Sequence, residues 1–172
     1  MPLPEAMAIA TADPLGNPSV RTVLLASANR RGFVFYTHAL SRKARELAAR
    51  PRAALVFYWH RTGKQVRVEG RVACVTRAEA DADWRKYSRD TQLATLALDA
   101  NVTASRRREL VSSFETLSRY WRGKQIRRPA SWVGYRLTPD SYAFWHSRAH
   151  RLNDGEIFFR AKETWRRRWL PP

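Results

Sequence analysis

The chain has 172 residues, a single cysteine, 44% hydrophobic content and a formal net charge of +17. That length fits one domain spanning residues 1–172 with a core of its own, and a lone Cys74 excludes both an internal disulfide framework and a cysteine-rich zinc site. No run of about 18 apolar residues is present, so no helical membrane span is expected, and the basic residues are scattered in small clusters ("SRRRE", "KQIRRP", "WRRRW"), which predicts a solvated basic surface rather than a nucleic-acid partner.

The opening "MPLPEAMAIATADPLG" lacks a basic start followed by an apolar core, so no secretory signal is expected and a reducing cytoplasm is the expected compartment. "AMAIATA" (6–12) reads as a strand, and "DPLGNP" as a turn. "SVRTVLLAS" (19–27) is a second strand, rich in β-branched residues, and "FVFYTH" (33–38) a third. Ser41 can cap a short helix that ends near Arg50, before Pro51. "RAALVFYWH" (52–60) is a fourth strand, "RTGK" a hairpin turn and "QVRVEGRVACV" (65–75) a fifth strand. In that strand Val66, Val68, Val72 and Val75 mark one face, and Gly70 signals a bulge or bend.

A helical block follows. It starts at 76–88, where Thr76 and Glu79 are spaced as a capping box. It continues through "DTQLATLALDAN" and "ASRRRELVSSFETLSRYWR", with Leu110, Phe114 and Leu117 on one face. Strands return with "SWVGYRLTPDSYAFWH" and "EIFFRAK", and "WRRRWLPP" reads as extended. About six antiparallel strands interrupted by helices predict a mainly β fold, a closed barrel with flanking helices.

The chemistry concentrates at "YTHALSRKARELAARP". A helix N-terminus with unpaired amides suits a phosphate, and Arg42 and Lys43 add formal charge there. Arg21 sits mid-strand among apolar residues, where an unpaired charge is costly. If the second and third strands pair, Arg21, Thr37, Arg42 and Lys43 can converge on one phosphate. Alternatively, Arg21 pairs with a carboxylate such as Glu69, and Arg42 and Lys43 are solvated.

The ordered series "RTVLL", "GFVFYT", "SRKAREL", "RPRAALVFYW", "QVRVEG", "RDTQ", "WVGYRLTPDSYAFW" and "HRLND" resembles the pyridoxamine 5'-phosphate oxidase family from about Ala6 to Pro172. The resemblance implies a six-stranded antiparallel split β-barrel and a homodimer with FMN between subunits. It implies that Arg21 and Lys43 hold the FMN phosphate, with Ser41 and Arg42 beside them. The backbone of Thr22, Val23, Leu24 and Leu25 would line the flavin, Tyr36 and Thr37 would touch the cofactor, Gln65 would bond the ring edge, and Trp145 would pack on it. Arg151 would be the catalytic residue over the flavin, and Arg151, Asn153 and Thr91 would face the substrate.

The substrate side departs from the family pattern. Where the family grips a substrate phosphate with Lys, Tyr and Arg, this chain has Ala26, Asp83 and Tyr87. Ala100, Asn101 and Gly155 replace further cofactor-contacting residues, although Arg85, Arg89 or Arg148 could compensate on the substrate side. The stretch "YTHALSRKARELAARPRAALVFYW" also resembles the phenazine-biosynthesis flavoenzymes, which likewise lack the phosphate grip. The expected activity is FMN-dependent oxidation of a small reduced amine or heteroaromatic compound by oxygen. A true pyridoxal 5'-phosphate-forming oxidase with a rebuilt phosphate site, a phenazine-type biosynthetic oxidase, and a flavin carrier without turnover are the alternatives. No metal is expected: His146 and His150 have no acidic or cysteine companions in pattern, and His38 and His60 read as surface groups with no evident carboxylate partner.

Overall fold

The computed structural model describes residues 3–100, 107–147 and 154–170. Its elements run β1 (Ala6–Ala12), β2 (Pro18–Asn29), β3 (Gly32–His38), α1 (Arg42–Ala49), β4 (Arg52–Trp59), β5 (Lys64–Cys74), α2 (Arg77–Trp84), α3 (Arg89–Ala100), α4 (Arg107–Tyr120), β6 (Trp132–His146), β7 (Asp154–Ala161) and β8 (Thr164–Trp169). All the strands pair antiparallel, in the order β3-β2-β1-β4-β5-β6-β7-β8. A further β3–β6 pairing closes the first six into a barrel. Closure removes strand edges from the barrel itself and leaves β8 at the end of the sheet.

Strand β6 is where the barrel splits. Its first half pairs with β3, Trp132 to Leu137 against His38 to Phe33. Its second half, from Ser141 to His146, leaves β3 and pairs with β7. The break falls at Pro139-Asp140, opposite Gly70 of β5, where the register shifts by one residue. A Cβ on Gly70 would lie 2.0 Å from the Thr138 carbonyl oxygen, so the close approach needs glycine. The bulge expected at Gly70 is therefore present.

Alternation decides what fills the barrel. In β1, Met7, Ile9 and Thr11 point inward and are buried, while alanines take the outer positions. Phe35, Leu55, Phe57, Val68, Val72 and Leu137 join them, and α1 adds Ala44 and Leu47 to the same cluster. Ser41 caps α1, its side chain accepting from the Ala44 amide. Val75 is a correction: three residues beyond Val72, it falls on the opposite side of the chain and packs with the helical cluster, not with Val68 and Val72. An odd step along a period-two strand must flip the side chain.

That second cluster holds Ala80, Trp84, Leu93, Ile126 and Trp132, with Tyr36, Tyr87, Phe114 and Leu117 against it. The helix expected at 76–88 stops at Trp84, and α3 begins at Arg89. Thr76 accepts from the Glu79 amide as a cap should. The Glu79 carboxylate, however, goes to Arg136 and Arg31 rather than back to the cap. Among the described residues, no helix is long and apolar enough to cross a membrane.

Candidate functional site

Arg21 emerges from β2 opposite Ile9 of β1 and reaches α1. Its Nη2 lies 3.3 Å from Glu46 Oε2, and its Nη1 donates to Thr11 Oγ1 at 2.5 Å. Nη2 also donates to the Ser19 hydroxyl. Arg42, one turn before Glu46 on α1, donates Nε to Oε1 at 2.7 Å. Ser19 donates to both carboxylate oxygens, at 2.9 and 2.7 Å, and Thr11 donates to Oε2. Glu46 is only 4% exposed. Burial alone would raise its pKa, but the bonds from Thr11, Ser19, Arg42 and Arg21 outweigh burial and hold it at about 2. The interior partner of Arg21 is thus a carboxylate, but it is Glu46 rather than Glu69. The i,i+4 spacing of Arg42 and Glu46 was the available signal for half of this contact.

Lys43 is one residue away on the same first turn. Its Nζ donates to Thr37 Oγ1 at 3.0 Å, and Thr37 Oγ1 lies 3.2 Å from Ser41 Oγ. Half-burial and then the nearby Arg21 charge lower the Lys43 pKa. Among the described residues, no carboxylate pairs with it. Arg21, Thr37, Ser41, Arg42 and Lys43 are therefore together at the start of α1, as the sequence suggested. Arg21 and Arg42 share one buried carboxylate and Lys43 adds a third cation, so the group carries a surplus of positive charge beside a helix N-terminus.

The outer face of β2 leads away from this group. Thr22 and Leu24 point outward, Leu24 being 49% exposed, while Val23 and Leu25 pack toward the barrel core. Ala26 lies outward too. Gln65 and Trp145 sit elsewhere. They are cross-strand partners on β5 and β6, and they line a cleft of about 430 Å³ with Trp59, Phe144, His146 and Trp169. In the barrel order β5 stands three strands from β2, on the opposite wall.

Tyr36 faces away from its neighbour Thr37. Its ring stacks on Trp132 at 3.8 Å and 1°, and its hydroxyl donates to Asp83 Oδ2 at 2.6 Å. Lys86 holds the other oxygen of Asp83 at 2.5 Å. Burial raises the Tyr87 pKa, with Asp83 adding to it, and the Tyr87 ring meets Trp132 edge-on. Thr91 lies exposed on the first turn of α3, its hydroxyl 2.9 Å from Ser88. Arg89 is committed to the carbonyls of Trp121 and Lys124, which leaves it poorly placed as a substitute phosphate ligand. Ala100 ends α3, and Gly155 lies against Leu170. His38, expected to lack a carboxylate, bonds Asp99 at 3.0 Å. Asp99 is 61 residues away in sequence, and only the docking of α3 brings it there. Arg151, Asn153, Asn101, Arg148 and His150 lie outside the described residues. No group of three or more metal-ligating side chains occurs among the described residues.

Residues 1–122 match the family profile described as "Pyridoxamine 5'-phosphate oxidase", and residues 132–172 match "Pyridoxine 5'-phosphate oxidase C-terminal dimerisation region". A pyridoxine/pyridoxamine 5'-phosphate oxidase of Myxococcus xanthus is 43% identical over 98% of this chain and 82% of its own length. One from Rubrobacter xylanophilus is also 43% identical, over 98% of this chain and 78% of its own. Among solved structures, PhzG from Burkholderia lata, in complex with tetrahydrophenazine-1-carboxylic acid, superposes with a TM-score of 0.91 at 31% identity. That match covers 98% of this chain and 83% of the other. A pyridoxamine 5'-phosphate oxidase-related, FMN binding protein from Nostoc punctiforme shares the fold at TM-score 0.81 and 18% identity, over 100% of this chain and 90% of its own.

Proposed function

The chain belongs to the pyridoxamine 5'-phosphate oxidase family, and from that premise we propose that it is a homodimeric, FMN-dependent oxidase of a small reduced amine or heteroaromatic substrate, with oxygen as acceptor. The observation that carries this reading is the cluster at the start of α1. Among the described residues, Arg21 and Arg42 pair with one carboxylate between them, and Lys43 beside them has a hydroxyl partner only. A phosphate monoester, with about 1.5 to 2 negative charges at neutral pH, fits that surplus. Arg and Lys would hold it by charge-assisted bonds.

A flavin is held at both ends in this proposal, and the barrel dictates how. The phosphate group of residues is on the β2 side and Gln65 and Trp145 are on the opposite wall. One elongated ligand gripped at both places is most simply held between two chains, one giving Arg21, Ser41, Arg42 and Lys43 and the other giving Gln65 and Trp145. The match of residues 132–172 to a dimerisation region supports that assembly. Bound FMN would supply hydride-accepting chemistry, and the protein supplies binding, orientation and charge. The backbone of Thr22 to Leu25 and of Tyr36 and Thr37 would line the cofactor. Arg151 would act as the catalytic residue beside the flavin, with Asn153 and Thr91 positioning substrate.

A second reading is a genuine pyridoxine/pyridoxamine 5'-phosphate oxidase, favoured by the curated relatives at 43% identity. Against it stand Ala26, Asp83 and Tyr87, since an ionised Asp83 disfavours a substrate phosphate. The purified protein should be yellow. Anaerobic titration with pyridoxine and pyridoxamine 5'-phosphates, their unphosphorylated forms and a reduced heteroaromatic acid should bleach it, with colour returning in air. A colourless protein that takes up no FMN would defeat the proposal, and a yellow one bleached by nothing in the panel would make it a carrier.

A further inference from the structure

We infer that Glu46 is a positioning residue for the phosphate grip, orienting Arg21 and Arg42 and setting the charge of the pocket. The inference rests on the FMN reading above and goes beyond it, because Glu46 itself would never touch the phosphate. The geometry is specific. One carboxylate, 4% exposed, collects bonds from Thr11, Ser19, Arg21 and Arg42. Thr11 and Ser19 also receive hydrogens from Arg21, so the guanidinium and the carboxylate are braced by the same two hydroxyls. Arg21 therefore has little freedom to turn.

Charge matching gives the second half of the argument. Arg21, Arg42 and Lys43 against Glu46 leave two net positive charges, the complement of a phosphate dianion. Without the carboxylate, Arg21 from β2 and Arg42 and Lys43 from α1 would be three like charges crowded at the start of that helix. Arg42, whose side chain is already 60% exposed, would be free to swing into water. Arg21 would be left inside the fold without its ionic partner, the arrangement in which breaking a pair is most damaging. Two effects oppose one another when Glu46 loses its charge: less repulsion of the phosphate, and loss of the orientation of its ligands. The bonds of Arg21 and Arg42 to Glu46, with those of the two bracing hydroxyls, fix that orientation at short range, so orientation dominates.

The test is Glu46→Gln, which keeps shape and one acceptor but removes the charge. Apoprotein stripped of flavin is titrated with FMN and with riboflavin, which lacks the phosphate, following flavin fluorescence. The FMN-to-riboflavin affinity ratio should fall at least tenfold in E46Q, while riboflavin affinity changes less than twofold. A general folding defect would lower both affinities and leave the ratio alone. Ser19→Ala, which removes one brace, should lower the ratio in the same direction by a smaller factor, and it stands in if E46Q does not fold. An unchanged or increased ratio in folded E46Q, or in S19A when E46Q fails to fold, overturns the role of Glu46 and leaves the FMN site intact. Wild-type protein that binds riboflavin as tightly as FMN overturns the phosphate site and the inference together.

Discussion

Tyr36 and Asp83 meet across 2.6 Å, the phenol donating to the carboxylate. The contact ties the barrel strand β3 to helix α2, because Tyr36 also stacks on Trp132 and Lys86 holds the far oxygen of Asp83. Burial pushes the Tyr36 hydroxyl up, and Asp83 pushes it further. For Asp83 burial also raises the pKa, but the bonds from Lys86 and Tyr36 outweigh it and leave the carboxyl below its ordinary 3.8. The pair is a neutral phenol on an anion at neutral pH. Asp83 is thus fixed in its charged form.

Asp83→Asn should cost about 1.5 to 3 kcal/mol at pH 7, the range for losing hydrogen bonds to a charged group. Because the folded pKa of Asp83 is depressed, its contribution is present above the ordinary 3.8 and disappears as pH falls through the folded value. The gap between wild type and D83N in urea midpoint should therefore shrink at acid pH. A gap that stays constant from pH 7 to pH 3 would mean the charge on Asp83 contributes nothing.

Glu46 should mark acid unfolding more strongly. Its pKa falls from 4.5 unfolded to about 2 folded, so its contribution is complete above 4.5 and is lost as pH drops toward 2. Urea titrations of wild type and E46Q should diverge most at neutral pH and converge across that window. Parallel curves down to pH 2 would contradict an ionised Glu46.

Lys43→Ala should weaken FMN retention by about ten- to hundredfold, equivalent to the ~1.5 to 3 kcal/mol of a charge-assisted hydrogen bond. The fold should survive, since the only side-chain partner of Lys43 among the described residues is Thr37. Arg21→Ala should lose FMN as well, and it should also lose about 1.5 to 3 kcal/mol of stability because Glu46 keeps Arg42 but loses a charge-assisted partner. Flavin content per protomer after gel filtration measures both. Normal content in the two variants would move the phosphate elsewhere.

Pyridoxine 5'-phosphate should be a poor substrate. Ala26 supplies no cation, Asp83 is an anion already holding Tyr36 and Lys86, and Arg89 is occupied by backbone carbonyls. Its kcat/KM should fall at least tenfold below that of the best unphosphorylated compound in the panel. Ordinary turnover at micromolar pyridoxine 5'-phosphate would restore the vitamin B6 assignment.

Local pattern carried most of this fold. Alternation in "AMAIATA" and the valines of β5 marked strands, and "SRKA" marked the start of α1 together with its cations. What the sequence could not give was the set of partners made by closure. Glu46 reads as an ordinary helix-surface residue until α1 docks against β1 and buries it beneath Arg21. Asp83 and Asp99 likewise acquire Tyr36 and His38 only when the helices fold back over β3, 47 and 61 residues away in sequence. Val75 leaves the face of Val68 and Val72 for a simpler reason, the odd interval from Val72, which turns its side chain to the helical cluster.

Beyond the barrel, β6, β7 and β8 carry Phe144, Trp165 and Trp169, which are 43%, 45% and 55% exposed. Phe144 meets Phe158 edge-on, and Tyr142 contacts both Phe144 and Trp165, so the rings form one continuous aromatic surface. Large apolar side chains exposed together mark an interaction surface, and these lie in the stretch that matches a dimerisation region. Phe144 also lines the cleft that holds Gln65 and Trp145. Phe144→Glu should place a charge in that surface and weaken self-association at least tenfold, with FMN retention falling alongside if the cofactor is shared between chains. Light scattering across a dilution series, with flavin absorbance read in the same samples, follows both. A variant that remains dimeric would remove Phe144 from the interface, and a monomer that keeps its full complement of FMN would show that one chain suffices to hold the cofactor.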